Sequence, residues 1–190
     1  MINEKGQVKE SVIAILTKEG GEKIVINDKK GFNVIGIVRD NFGNIKNILK
    51  GKNIVSNDGD LFYAEMAAGE APTYDFASCV LGTGTVAADK ADDYDDVTPI
   101  AGSNKAPSAG YPKTNDTDED NTGKAVDSVT YKYYWLGADF NNAAIAEGCI
   151  TIAAPGAGSK VLTRFLFAAS FEKTASDTLT VYINHNFLGV

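Results

Sequence analysis

The sequence predicts a mainly β protein: an antiparallel β-sandwich of jelly-roll or similar Greek-key type, with one short helix near 60–68 and a long acidic loop over 88–127. Three observations lead there. Short segments rich in valine, isoleucine and aromatic residues recur along the chain, separated by residues that tolerate turn geometry. One segment alone has a helix start, body and stop in the right order. Between residues 88 and 127, ten acidic side chains face only Lys90, Lys105, Lys113 and Lys124, with Pro99, Pro107 and Pro112 among them. Compact domains seldom need so long a polar excursion, which is usually functional or mobile. A chain of 190 residues fits a single β-rich domain that buries roughly 70% of its unfolded surface.

The segments 8–17, 22–27, 32–39 and 42–49 read as a β-meander, broken at Gly20 and Gly21, at Lys30 and Gly31, and at Asp40 and Asn41. In the first, Val8, Val12, Ala14 and Leu16 share one face while Ile13 and Ile15 take the other, so both faces are partly covered. Residues 53–56 form one more short strand. Asp60 then suits an N-cap for a helix body over 61–68, with Gly69 as terminator and Pro72 shortly beyond. On that helix Leu61, Phe62 and Met66 share much of one side. Strand character returns at 74–81 and stops at Gly82-Thr83-Gly84-Thr85. Past the acidic excursion, Tyr131, Tyr133 and Trp135 alternate on one face of a strand over 128–136. Such a row forms a core, a carbohydrate platform or an interface, with the core as default. Residues 141–147 read as a helical turn or loop, and strands at 149–153, 161–171 and 178–187 complete the framework. In the last, Leu179, Val181, Ile183 and His185 point one way and Thr180, Tyr182 and Asn184 the other, giving a half-buried strand with a polar outer face.

The net charge of −7 is unevenly spread: residues 1–57 carry +4, 58–87 carry −5, 88–127 carry −6, and 128–190 balance. The basic excess at 1–57 suits a docking surface or an arm reaching a neighbour, but it is too small and too poor in arginine for nucleic acid. No run approaches the length of a membrane span, so neither nucleic acid nor membrane is an expected partner. Cys79 and Cys149 fall inside strands and are expected to be buried free thiols rather than a disulfide framework.

Catalytic signatures are sparse. His185 is the single histidine and sits on the apolar face of its strand, where a hydrogen-bonded structural role is the ordinary one. The Gly82-Thr83-Gly84-Thr85 turn lacks the Gly-Lys-Ser/Thr of a phosphate loop. Asp139, Glu147 and Asp177 are the only carboxylates considered for a hydrolytic pair. Asp116, Asp118, Asp120 and Asp127 occupy positions 1, 3, 5 and 12 of a calcium-loop pattern. Asn121 stands where such a loop has glycine, and the twelfth position lacks bidentate glutamate, so a solvated acidic loop is the favoured alternative to a Ca2+ site.

One resemblance spans roughly residues 45–190. It runs through KNIVSNDGDLFYAEM, FASCVLGTGTVAADKADDYDDV, GYPKTNDTDEDNTG, VTYKYYW, NNAAIAEGCI and VLTRFLFAASFEKTASDTLTVYINHNF. This order resembles the virion structural proteins of tailed bacteriophages, in which an LGTGT turn and an acidic, alanine-rich segment precede aromatic strands. The resemblance implies a non-enzymatic particle component located in the virion and made in the host cytoplasm. Its partners would be copies of itself, the major capsid protein or other virion proteins. A capsid decoration or cement protein is the first expectation, and a neck, tail or fibre module, with host surface glycans as ligands, is the alternative. Lys113, Thr114, Asn115, Tyr131, Tyr133 and Trp135 are the expected contact residues.

Overall fold

The computed structural model describes residues 11–17, 23–28, 33–121 and 127–187. Residues 8–10, Glu22 and Phe32, placed in strands by the sequence, lie outside them, as do the turns at Gly20–21 and Lys30–Gly31. Among the described residues the elements are β1 (Ser11–Thr17), β2 (Lys23–Asp28), β3 (Val34–Arg39), β4 (Ile45–Val55), α1 (Asn57–Ala68), β5 (Ser78–Gly82), β6 (Lys113–Thr114), β7 (Ser128–Trp135), β8 (Asn142–Thr151), β9 (Val161–Lys173) and β10 (Thr178–Asn186). β1 and β2 pair as a separate two-stranded antiparallel hairpin, and β1 lies against a short 3-10 turn at Glu119–Asn121. The remaining eight strands make one antiparallel sheet in the order β5-β8-β9-β4-β3-β10-β7-β6, curled into a half-barrel.

Eight of the ten described strands thus belong to one curled sheet rather than to the two facing sheets expected. Alternating sequence patterns report only that one face is buried, and a curled sheet buries its concave face against itself. Cys79 and Leu81 of β5 share a hydrophobic cluster with Tyr133 and Trp135 of β7, although five strands lie between them in the sheet order. Val34, Val38, Leu179, Val181, Ile183 and Phe165 fill the same interior. Tyr131, Tyr133 and Trp135 are buried there, and the Trp135 indole donates to the Ser103 carbonyl at 2.7 Å. The surface role considered for these rings does not apply to the folded chain, because burying a ring removes more apolar area from water than any other side chain of the strand offers.

Several elements differ from their sequence reading. The two strands expected at 42–49 and 53–56 are one, because β4 continues from its pairing with β3 into pairing with β9 across Gly51. Residues 142–147 are strand, not helical turn: alanines favour helix weakly, and pairing of this part of β8 with β9 overrides them. Helix α1 starts three residues before the expected cap Asp60. Ser56 caps it, its hydroxyl accepting from Gly59 N at 3.0 Å, and Gly69 ends it with φ 75° as expected. At Gly59 the helix meets β9 so closely that a Cβ would lie 2.1 Å from the Leu162 carbonyl oxygen. The face differs too: Phe62 and Tyr63 pack on the core, while Leu61 and Met66 are exposed.

The outer face of β10 is buried as well, with Tyr182 and Asn184 both covered. Both thiols are free and buried. Cys79 pairs with Ile150 and Val80 with Cys149, so the two cysteines belong to clusters on opposite faces of the sheet and cannot meet.

Candidate functional site

The acidic excursion is the chain's most constructed surface. Its first half runs along the free edge of β5, where Cys79 and Lys105 exchange backbone hydrogen bonds and Ile100 N donates to the Leu81 carbonyl. Ser108 N then donates to the Lys132 carbonyl at the edge of β7, and β6 pairs with β7 beyond it. The segment therefore spans from one edge strand of the half-barrel to the other.

Its second half, residues 111–121, turns back across the outer face of β7, β10 and β3 as a strap. Each of its three aspartates finds its own cation. Asp116 pairs with Lys113 at 2.9 Å and accepts from the Tyr111 hydroxyl and Asn121 Nδ2, each at 3.0 Å. Asp118 Oδ2 takes Lys132 at 2.6 Å and the Tyr182 hydroxyl at 2.8 Å. Asp120 pairs with Arg39 at 3.0 Å. Asn121 and Asn184 exchange two side-chain hydrogen bonds of 3.0 Å, and Thr130 donates to the same Asn184 oxygen. Asp118 and Asp120 reach the sheet, at Lys132 with Tyr182 and at Arg39, while Asp116 is held within the strap itself. Burial alone would raise the Asp116 carboxyl, but the bonds from Lys113, Asn121, the Asp118 amide and Tyr111 outweigh it and hold the group at about 2. Asp118 is lowered in the same way, burial opposing and Lys132 with Tyr182 prevailing.

The solvated loop read from composition is therefore an anchored strap over this stretch, because its charges meet partners from strands distant in sequence. The calcium-loop residues are divided among three separate cations, and Asp127 lies apart on the exposed turn before β7. Among the described residues no group of three or more carboxylate, histidine or cysteine side chains is arranged to hold a metal ion. Lys113, Thr114 and Asn115 do lie at the surface, on the edge strand and the turn after it, with Asn115 at φ 50°. Asparagine is among the few side chains that adopt this left-handed geometry readily.

A second cluster anchors the start of the excursion. Arg164 of β9, fully buried, donates through Nε and Nη2 to Glu147 Oε2 at 3.0 and 2.7 Å and through Nη1 to Asp92 at 2.9 Å. Burial disfavours the guanidinium charge, but the bonds it donates to Asp92 and Glu147 prevail and keep it ionised. The other Glu147 oxygen accepts from Gly84 N and Thr98 N, each at 2.8 Å. A Cβ on Gly84 would lie 2.2 Å from that oxygen, which explains the glycine in the LGTGT turn. The carboxylates considered for hydrolysis are each spent elsewhere: Glu147 on Arg164, Asp139 on Lys105 at 2.6 Å, and Asp177 on Lys46 at 2.8 Å. Cysteine chemistry is equally muted, since burial and then the Glu147 charge push the Cys149 thiol up to about 12.

The third feature was not readable from sequence spacing. His185 Nδ1 meets the Tyr63 hydroxyl at 2.6 Å, and that hydroxyl meets Tyr131's at 3.1 Å, so a polar chain links α1, β7 and β10 inside the apolar interior. Burial alone drives the imidazole down to about 3, leaving it neutral. Only the alternation of β10 hinted at it, by placing His185 on the inner face. Among the described residues no helix is long and apolar enough to cross a membrane. No family model, curated protein or solved structure matches this chain.

Proposed function

We propose that this chain is a non-enzymatic structural protein of a tailed-phage particle, a capsid decoration protein that binds the shell and its own copies through rigid surface contacts. The observation that carries this reading is the strap: an acidic stretch with every described aspartate satisfied within the chain presents a preformed surface, so little ordering entropy is lost when a partner docks on it. Apolar contact points lie at one end of the same strands. Phe42, 83% exposed at the β3–β4 turn, and Leu136, just past β7, stand where Arg39 pairs with Thr178 and Trp135 with Leu179. The motif order of residues 45–190 supports the phage assignment.

Quantitative mass spectrometry of purified particles, measured against the major shell protein, tests the placement. Copies comparable in number to the shell protein are expected. A handful per particle would move the protein to the neck or tail, and complete absence would end the virion reading.

A further inference from the structure

Where α1 approaches the ends of β4 and β10, a cleft of about 330 Å3 is lined by Asn33, Asn53, Asp60, Tyr63, His185 and Phe187. Two of the cleft-lining side chains each carry a buried polar atom with no hydrogen-bond partner among the described residues: Asn53 Nδ2 and His185 Nε2. Native structures rarely leave such atoms unpaired without a water, ion or ligand to serve them. Tyr63 engages His185 Nδ1, so Nε2 is the ring nitrogen left to pair, as a donor if Tyr63 donates and as an acceptor if Tyr63 accepts. Phe187 stands edge-on to Tyr63 with ring centroids 4.8 Å apart and remains 47% exposed, so part of its ring is open to a ligand.

We propose that this cleft binds a neutral polyhydroxylated ring, a monosaccharide unit. A hydroxyl both donates and accepts, so adjacent hydroxyls satisfy the Asn53 amide and the imidazole in either tautomer. The apolar C–H face of a sugar ring packs on Phe187. Charged ligands fit less well. The carboxylate of Asp60 is already paired with Lys90, which leaves a cation no free acid, and an anion would meet Asp60 beside a neutral histidine. The inference does not rest on the virion assignment, and it places sugar recognition away from the buried Tyr131, Tyr133 and Trp135.

The test uses the full chain. Because His185 is the single histidine, its imidazole resonances are unambiguous in NMR, and the protein is titrated with glucose, galactose, N-acetylglucosamine and rhamnose. Saturable movement of the Nε2 signal with at least one sugar, at a millimolar dissociation constant, is expected. Phe187→Ala and Asn53→Ala should each weaken that binding about tenfold, with the thermal midpoint and the dispersion of the remaining spectrum retained. Tyr134→Ala, an exposed aromatic on the outer face of β7, should leave it unchanged. No movement with any of these sugars, or movement that survives both cleft variants, overturns the proposal.

Discussion

His185 couples the interior to pH. Its folded value of about 3 lies below the ordinary 6.5, so the unfolded chain binds a proton that the folded chain refuses. Stability from this residue is complete above 6.5 and is lost as pH falls from there towards about 3, with a slope of up to about 1.4 kcal/mol per pH unit. Asp116 acts lower, its contribution present above 3.8 and fading towards about 2. Urea unfolding as a function of pH should therefore weaken well before the carboxylates titrate, and His185→Asn should flatten the upper part of that curve. A second residue-scale expectation concerns Arg164. Arg164→Met leaves Glu147 and Asp92 buried without their cation and should cost about 3–5 kcal/mol in chemical denaturation. Glu147→Gln added to it should recover part of the loss; if the double variant is no more stable than the single, the charge pairing is not what the site contributes.

At the scale of elements, the strap is held by side chains rather than by sheet hydrogen bonds, apart from the two residues of β6. Lys132 is its central tether: it pairs with Asp118 and lies 5.6 Å from the Tyr111 ring centroid and 5.1 Å from that of Tyr182. Lys132→Met should leave the β-rich circular dichroism spectrum intact and make residues 111–121 the first site of limited proteolysis. Equal resistance in wild type and variant would mean that Lys132 does not tether it. Little of this was legible beforehand. Composition shows that the stretch is acidic and poor in aliphatics, but not that Lys132, Tyr182 and Arg39 come from three strands placed side by side by pairings of residues up to 149 apart in sequence, Val34 with Ile183 being the farthest. Local patterns did expose what is local. The Gly69 stop, the alternation of β7 and β10, and the burial of both cysteines follow from neighbours along the chain. The boundary at Ser56 and the strand at 142–147 do not, because contact with β9 decides both.

On the scale of the whole molecule, strand alternation identified a β framework but not whether one sheet curls or two face each other, since each leaves the same record of one buried face. What closes the sheet is the excursion itself, the part that composition marked as least structured. The placement of β10 has a further consequence, for the order of events in synthesis. This strand, ending at Asn186, lies between β3 and β7 in the interior of the sheet, and β4 likewise waits for β9. The five strands β5-β8-β9-β4-β3 can pair once β9 has emerged, but β7 and β6 join them only when residues 178–186 leave the ribosome. Until then β3 and β7 expose long unpaired edges of the kind that invite pairing between chains. Completion of the sheet is thus deferred until β10 emerges, and the choice between a folded monomer and aggregation falls in the moments after it does.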